Sequence, residues 1–375
     1  NAFTGGGNEI FVNSGLLSQF PDVDVFKGVM AHEMGHILGH HNARIMQNLA
    51  NQSKIAIASV AIGLAAGIAS GDPTIMAAGS IAGMDMAEKS MLKYSRTYES
   101  SADQAAFKLL EKSGNSAIGL IKLMQYFQAE NRGNNLNKYL LTHPIFSERL
   151  DTATAFLKTS NYKTSTSSAS LQKRFERVSY KLLAFTTSRP EFILSRLSLI
   201  KDQEIKLYMQ AICYLRLSKY KESIESIDRL LSMSPNDPYY NELKGQILFE
   251  FGKKDSIGYL EKAVNLVPND ALMKMNLAIV AWGVYQKEPN MLAKYLPYVK
   301  FIHQKEPESL TPYYYLSLYY GAMNNEPFSK VNLAIYYDKQ NHPQAKVLAR
   351  SALAGLKPET PEWYWAKDII EREKE

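Results

Sequence analysis

The sequence predicts a mainly α-helical protein, in which a small β-sheet opens an N-terminal domain and a domain of helical repeats follows. Three observations predict this fold class. Apolar residues recur at helical spacing through most of the 375 residues. A short alternating segment around Ile10 and Val12 follows a run of glycines, which is typical of a strand after a tight turn. The tripeptide Pro-Asn-Asp occurs at 235–237 and again at 268–270, in the C-terminal half.

The composition excludes several classes of protein. The net charge of +6 is spread along the chain without a tract dense in lysine and arginine, so we expect no nucleic-acid partner. Cys213 is the single cysteine, which excludes an intrachain disulfide. The chain starts at Asn1 without a signal-peptide pattern, and we expect a leader to have been removed.

Three long helices are predicted after the strand. The first begins near Asp22, and its apolar period predicts that it continues to Met46. The second spans 86–112, where Gly114 provides the C-terminal signal, and the third spans 117–131.

The apolar stretch at 55–87 reads as two helices rich in small residues around a Gly-Asp-Pro turn. No apolar run reaches the roughly 18–20 residues that a membrane-spanning helix needs. Two interpretations remain open for this hairpin. It is buried in the domain, or it covers a cleft or contacts a membrane surface peripherally.

A domain boundary is predicted at 158–170, a segment poor in apolar residues and rich in serine and threonine. It separates a domain at 1–157 from a domain at 171–375. In the latter, the small residues Ala211, Gly245 and Ala278 recur at intervals of 34 and 33 residues, and a proline closes each unit. That period predicts tetratricopeptide repeats, whose concave surfaces bind peptides or partner proteins.

The segment AHEMGHILGHHN, at 31–42, predicts a metal site. On a helix, His32 and His36 lie on one face a little over 5 Å apart, so both imidazoles can reach one ion. Glu33 lies about 100° further round the helix, where its carboxylate can take a proton from an attacking water molecule. This spacing predicts a catalytic zinc ion with Glu33 as the general base.

A catalytic zinc ion needs a third protein ligand. The longer motif His-Glu-x-x-His-x-x-Gly-x-x-His fails here, because position 42 is Asn and His41 comes one residue early. The residues after Gly39 also look helical, without the turn that would bring a later histidine back. Glu99 and Asp103 are better candidates, since they lie four apart on the next predicted helix. Glu99 can bind the metal, while Asp103 can accept the second N–H of a ligand histidine.

With these residues in place, the chain resembles the family-48 metallopeptidases, the gluzincins that include the Oma-type and CAAX prenyl proteases. The resemblance covers most of 1–155 and rests on the NAF and GLL segments, His-Glu-x-x-His, Glu-x-x-x-Asp and a later His-Pro with an arginine. It implies zinc bound by His32, His36 and Glu99, with Asp103 behind the ligands. The repeats make the chain most similar to the periplasmic branch of that family. The prenyl-protease branch carries several membrane spans that this chain lacks, so prenylated substrates are not expected.

The resemblance also implies roles for two residues of the later segment. His143 matches a histidine that can cap the zinc as a fourth ligand and hold the enzyme latent. Without the resemblance, His143 before a proline would be a turn residue. Arg149 matches the arginine that follows, and two catalytic roles stay open for it. It pairs with an acidic group near the zinc, or it steadies the developing oxyanion.

Two functions from different classes follow. In the first, the protein is a zinc endopeptidase of the Gram-negative periplasm that hydrolyses unfolded or misassembled envelope proteins. The strand Ile10, Phe11, Val12 and Asn13 would pair with an extended substrate. The repeats would recruit clients, and the implied partners include the outer-membrane barrel assembly machinery. In the second, the protein is a repeat-based chaperone or adaptor for outer-membrane assembly, and its metal site is latent or structural.

Overall fold

The computed structural model describes residues 2–5, 7–45, 47, 50, 96–131, 143 and 147–372. These form two compact units, Asn1–Thr187 and Ser188–Glu375. The mainly α fold class is confirmed: the described residues contain one sheet, which has two strands, and are otherwise mostly helical.

The first unit contains a β-hairpin and six labelled helices. They are β1 (Ala2–Thr4), β2 (Ile10–Val12), α1 (Ser14–Gln19), α2 (Val23–Leu38), α3 (the described helical residues 96–112), α4 (Ile118–Asn131), α5 (Ser147–Thr159) and α6 (Ala169–Thr186). Residues 41–45 form a further short helical segment. The strand around Ile10 and the helix at 117–131 are confirmed, and the helix at 86–112 is confirmed for its described part.

The hairpin is antiparallel, with Ala2 opposite Val12 and Thr4 opposite Ile10. Its turn contains Gly7 at φ +76°, a left-handed conformation that glycine adopts without steric cost. β2 ends at Val12, one residue earlier than predicted, and Asn13 is the N-cap of α1. The glycine-rich segment therefore forms the turn that lets the three-residue strand β2 pair with β1.

Helix α2 carries the predicted metal motif. It begins after Asp22, whose carboxylate accepts hydrogen bonds from the amides of Asp24 and Val25. The prediction that it continues to Met46 is wrong, because it ends at Leu38 and His40 adopts φ +50°. A residue in the left-handed conformation ends the helix and changes the direction of the chain. The apolar period of the sequence does not indicate such a residue when it is not glycine.

The turn after α2 is stabilised from a distant part of the chain. The Asn42 amide donates hydrogen bonds to the carbonyl oxygens of Thr4 (2.8 Å) and Gly5 (3.0 Å), and Thr4 Oγ1 lies 2.9 Å away. These bonds attach the chain beyond α2 to the end of β1.

Close packing at glycines sets how α2 lies against its neighbours. A Cβ on Gly28 would lie 2.7 Å from the backbone nitrogen of Leu120, and one on Gly35 would lie 2.5 Å from the carbonyl oxygen of Ala102. α2 therefore approaches α4 at the first position and α3 at the second, nearer than any side chain would allow. An apolar core fills the space between these helices and α5, formed by Ala31, Ala106, Phe107, Leu110, Ala117, Leu120, Ile121, Met124 and Ala153.

The predicted boundary segment at 158–170 lies within the first unit. Ser160 Oγ donates to the Glu111 carboxylate at 2.5 Å, and Ser167 hydrogen-bonds to Asp24 near the start of α2. The following helix, α6, packs against α1 and α2. The two compact units divide later, at 187–188, because these polar contacts hold the serine-rich segment to the first unit.

The second unit is entirely helical in its described residues. Its elements are α7 (Pro190–Arg196), η1 (Leu197–Leu199), α8 (Gln203–Arg216), α9 (Tyr220–Met233), α10 (Pro238–Glu250), α11 (Ser256–Leu266), α12 (Ala271–Tyr285), α13 (Pro289–Leu292), η2 (Ala293–Tyr295), α14 (Leu296–Lys305), α15 (Leu310–Ala322), α16 (Glu326–Asp338), α17 (Gln344–Leu353) and α18 (Pro361–Glu371). From α8 to α12, each helix packs against the next one in sequence.

The Pro-Asn-Asp tripeptides mark the starts of helices in this unit. Asp237 caps α10 and Asp270 caps α12, and each carboxylate accepts backbone amide hydrogen bonds. At the repeated small positions the helices touch. Ser223 on α9 donates to the carbonyl oxygen of Ala211 on α8, and a Cβ on Gly245 would lie 2.6 Å from Leu260 Cγ. These contacts explain the recurrence of small residues, while the assignment of this unit as tetratricopeptide repeats stays a prediction.

The predicted apolar hairpin at 55–87 lies outside the described residues. Within the part of the chain that the structure describes, no helix combines the length and the apolar character needed to cross a bilayer.

The close approach of α2 to α3 yields a test of the packing. Gly35→Ala should destabilise the first unit by about 1–3 kcal/mol, because the added methyl group overlaps the backbone of Ala102. All three tryptophans, Trp282, Trp363 and Trp365, lie in the second unit. We therefore expect urea unfolding followed by circular dichroism to shift, while the transition followed by tryptophan fluorescence stays unchanged.

Gly15→Ala is the matched control for this substitution, since a Cβ on Gly15 would have no neighbour within 4 Å. It should leave the stability unchanged or raise it slightly, because alanine favours a helix. Equal stability of the wild-type protein and the Gly35→Ala variant would contradict the packing argument.

Candidate metal centre

His32 and His36 lie on the same buried face of α2. Their Nε2 atoms are 3.1 Å apart, so both imidazoles converge on one point. The i, i+4 spacing on a straight helix produces this convergence without help from the rest of the fold. The predicted pair is therefore arranged as a pair of metal ligands would be.

Glu99 on α3 and the buried side chain of His143 reach the same point. Glu99 Oε1 lies 3.2 Å from His36 Nε2, and Glu99 Oε2 lies 3.4 Å from His32 Nε2. His143 Nδ1 lies 3.1 Å from Glu99 Oε1 and 3.4 Å from His32 Nε2. One ligand atom from each of the four residues falls within 4.8 Å of the others.

The chemistry and the spacing of these donors fit zinc. Zinc accepts imidazole nitrogen and carboxylate oxygen at about 2.0–2.2 Å, so neighbouring donors of a tetrahedral site lie about 3.3 Å apart. The separations among the four residues run from 3.1 to 3.4 Å for the pairs given above. His32, His36, Glu99 and His143 can therefore hold a metal ion of this kind.

Glu33 lies beside the cluster with a fully buried carboxylate. Neither of its oxygens accepts a hydrogen bond from the described residues, and His143 Nε2 is 3.5 Å from Oε1. A buried carboxylate without hydrogen bonds is destabilising unless a cation or a reacting molecule compensates its charge. This is the second observation that fits a metal ion at the cluster.

Asp103 supports the cluster from α3. Its Oδ1 lies 2.8 Å from His32 Nδ1, so the carboxylate accepts the N–H of that ring and leaves Nε2 facing the cluster. Arg149 on α5 binds the far side of the same carboxylate, with Nε 2.7 Å from Oδ2 and Nη2 2.9 Å from Oδ1. The Arg149 Nη1 atom is also 2.7 Å from Glu99 Oε2. Of the two roles left open for Arg149, this placement fits pairing with acidic groups; the oxyanion role stays a prediction.

His41 also contacts a residue of the cluster, and the sequence did not predict this contact. Its side chain is only 1% exposed, and its Nδ1 lies 3.0 Å from His36 Nδ1. The ring stacks on Tyr98, with ring centroids 4.8 Å apart. The expectation that 39–42 continues the helix concealed this contact, because only the turn at His40 directs His41 back towards His36.

Protonation of the metal-free cluster is uneven. Burial lowers the pKa of His32, but hydrogen bonds to Asp103 and Glu99 outweigh it and raise that pKa to about 9. Burial raises the pKa of the Glu99 carboxyl, yet hydrogen bonds from His143, His32 and His36 hold it well below its usual range. Burial lowers the pKa of His41 to about 4. At neutral pH the metal-free site therefore contains a cationic His32 between two carboxylates.

A cavity of about 680 Å³ opens beside His36, between the hairpin turn and the segment that follows α2. It is lined by Thr4, Gly5, Gly7, Asn8, His36, Ile37, His40, His41, Asn42, Ala43 and Ile45. Of the two strands of the hairpin, β1 packs more closely against α2, and β2 with the predicted substrate strand at Ile10 to Asn13 lies one strand further out. Substrate pairing with that strand remains a prediction.

Comparison with known proteins shows a family-level similarity in the part of the chain that carries this cluster. Residues 1–156 match the sequence profile of Peptidase family M48. The chain is 23% identical over 313 residues to the beta-barrel assembly-enhancing protease of Yersinia pestis, and 24% identical over 311 residues to the protein of that name from Escherichia coli K12. It is 34% identical over 151 residues to metalloprotease YcaL of Escherichia coli K12.

These matches differ in the lengths that they cover. The two beta-barrel assembly-enhancing proteases align with 82% and 79% of this chain, which spans 63% and 61% of their own lengths. The YcaL match covers 40% of this chain and 55% of the relative. The first unit therefore carries the family-level similarity, and the longer matches extend into the second unit.

The raised pKa of His32 predicts how metal binding depends on pH. A ligand nitrogen must lose its proton, so zinc should release about one proton from His32 at neutral pH. The apparent zinc affinity should rise about tenfold per pH unit from pH 7 and level off near pH 9. Competition with a chromophoric chelator measures the affinity, and calorimetry in buffers of different ionisation enthalpy counts the protons.

The same pKa has a consequence for the metal-free protein. Stabilisation from protonated His32 is fully present below its ordinary pKa of 6.5 and is lost as the pH rises through about 9.

Asp103→Asn is the control for the zinc-affinity prediction, since removing this carboxylate should move the plateau of zinc affinity to lower pH. A zinc affinity that does not change between pH 7 and pH 9 would contradict the assignment.

Proposed function

We propose that this protein, whose residues 1–156 form a Peptidase family M48 domain, is a zinc-dependent endopeptidase. The observation that carries the proposal is the convergence of His32, His36 and Glu99 on one point beside the buried carboxylate of Glu33. Three protein ligands with an adjacent carboxylate are the arrangement that peptide hydrolysis at a metal requires.

Each residue of the site has a distinct part in the proposed reaction. Bound zinc would supply a Lewis acid that polarises the scissile carbonyl and lowers the pKa of water towards about 7. Glu33 accepts a proton from the attacking water molecule and delivers it to the leaving amine. Its lack of hydrogen bonds from described residues leaves both oxygens available for that transfer. Asp103 keeps the His32 proton on Nδ1, away from the ligand atom.

Glu99 and Asp103 are in turn fixed by Arg149, which bridges them across one helical turn of α3. This bridge joins α5 to the metal site through two ion pairs. Arg149 therefore positions the carboxylates in the proposed mechanism. Its buried guanidinium forms one ion pair with Glu99 and one with Asp103. These ion pairs offset part of the free-energy cost of burying the two carboxylates.

We further propose that His143 regulates the site. Its Nδ1 completes the donor set, and its Nε2 lies 3.5 Å from the proposed base Glu33. A catalytic zinc site keeps one position for water, and in this proposal His143 would occupy that position as a fourth ligand. With His143 in place, Glu33 and the ligands are buried, and displacement of His143 would open both the metal and the base.

The proposed substrates are unfolded or misassembled proteins of the bacterial envelope. An extended chain could add to the hairpin beside α2 and reach the cavity next to His36. The similarity to proteins named beta-barrel assembly-enhancing protease supports a periplasmic location and contact with the outer-membrane assembly machinery. The helical second unit would recruit such clients, as extended helical repeats do.

A second candidate function is favoured by the burial of the whole cluster. If His143 stays in place under all conditions, the metal site is structural and the second unit acts as an adaptor or chaperone. The two functions differ in whether chemistry at Glu33 is needed to process a client.

Glu33→Gln tests the endopeptidase function. Hydrolysis of unfolded casein should fall by about 10²- to 10⁴-fold, because the amide cannot accept the proton. Zinc content, measured by atomic absorption, should remain unchanged because Glu33 is not a proposed ligand. Met34→Gln is the matched control, since Met34 is the adjacent exposed residue of the same helix. Full hydrolysis by Glu33→Gln would exclude the protease function and leave the adaptor function.

His143→Ala tests the regulatory role. Casein hydrolysis should rise about tenfold if the site is open for about a tenth of the time in the wild-type protein. His143→Cys restores a potential zinc ligand and should keep the activity low. Unchanged or lower activity of His143→Ala, with zinc still bound, would contradict regulation by this residue.

A further inference from the structure

We infer that His41 is a positioning residue that fixes His36 as a metal ligand, and that the absence of a side chain at Gly39 makes this possible. The inference rests on the proposed function, because it concerns a ligand of the same metal centre. It assigns roles to Gly39 and His41 of the segment at 31–42, which the proposed mechanism does not otherwise use.

The His36 ring is oriented with one nitrogen towards the cluster and the other towards His41. Its Nε2 atom faces His32 Nε2 at 3.1 Å and Glu99 Oε1 at 3.2 Å, so Nε2 is the ligand atom. Its Nδ1 atom faces away from the cluster and lies 3.0 Å from His41 Nδ1. At that separation one nitrogen must donate and the other must accept. Since a ligating Nε2 of neutral His36 leaves the proton on Nδ1, His41 must be the acceptor.

The two histidines of α2 differ in the partner of their Nδ1 atoms. Asp103 accepts the N–H of His32, which is the usual carboxylate partner of a metal-ligating histidine. The corresponding N–H of His36 is directed at an imidazole. Without His41, the His36 ring would keep its Nε2 contacts but lose the acceptor that fixes its tautomer and its rotation.

The fold holds His41 in place from several sides. The left-handed residue His40 turns the chain after α2, and the Asn42 amide ties the next residue to Thr4 and Gly5. The His41 ring is buried and stacks on Tyr98 of α3. The ring can therefore act as a rigid acceptor for His36.

Gly39 supplies the space for that ring. Its φ of −79° is in the right-handed region that every residue adopts, so the backbone does not require glycine there. A Cβ on Gly39 would instead overlap the His41 ring, lying 2.5 Å from Cδ2 and 2.7 Å from Cε1. The glycine is thus required sterically, and only as long as position 41 carries the ring.

The experiment compares zinc affinity among variants of His41 by competition with a chromophoric chelator. His41→Phe keeps an aromatic ring against Tyr98 but removes the acceptor, and zinc should bind about 10- to 100-fold more weakly. His41→Asn places an amide oxygen near the position of Nδ1 and should restore most of the affinity. His40→Asn is the control at the exposed neighbouring histidine, where asparagine tolerates the positive φ. It should leave zinc affinity unchanged.

A double-mutant cycle tests the role of Gly39. Gly39→Ala alone should weaken zinc binding in the same range as His41→Phe, because its methyl group displaces the His41 ring. In the His41→Ala background, the same substitution should have no further effect, since the overlapping ring is gone. The visible spectrum of the Co²⁺-substituted protein should change in Gly39→Ala and His41→Phe and remain as in the wild type in His41→Asn.

The outcomes separate this inference from the proposed function. If wild-type protein binds zinc and hydrolyses casein while His41→Phe binds zinc equally well, the positioning role is wrong and the protease function stands. If His41→Phe and His41→Asn lose the same affinity and both melt at lower temperature without metal, His41 only packs the fold and the inference is overturned. If the wild-type protein binds no zinc, both proposals fail.

Discussion

The packing of the first unit around the cluster depends on two buried carboxylates on one helix, Glu99 and Asp103. A buried carboxylate without a counter-charge or hydrogen bonds costs several kcal/mol, so each must be compensated within the fold. His32 and Arg149 both contact Asp103, and the same two residues also contact Glu99. Helices α2, α3 and α5 are therefore held together by charge at the candidate metal centre.

This compensation requires that the helices approach closely. At the Gly35–Ala102 contact, α2 and α3 meet with no side chain from α2 between them. That approach brings Glu99 within 3.2 Å of His36. Packing and electrostatics thus act on the same pair of helices, and His143 closes the remaining side of the cluster. The four side chains His32, His36, Glu99 and His143 are consequently buried together in an arrangement that could hold a cation.

Much of the fold and part of the site could be predicted because their determinants are local. Helical periodicity and capping residues indicated the helix start at Asp22 and the helix at 117–131, and the glycine run indicated the turn before Ile10. The prediction was wrong at Leu38, where α2 ends although the apolar period predicted that it continues. The turn there depends on the Asn42 side chain and on β1, which are 38 residues apart, and no local pattern encodes that contact.

The sequence by itself determined the spacing of His32 and His36 and the spacing of Glu99 and Asp103, because residues four apart share one face of any helix. The tertiary structure alone decided that these two faces meet and that Arg149 lies between the carboxylates. It also directed the His41 ring at His36, through a turn that periodicity did not reveal. The reason is physical: a helix fixes directions within its own length, whereas distances between helices follow from packing and from the need to compensate buried charge.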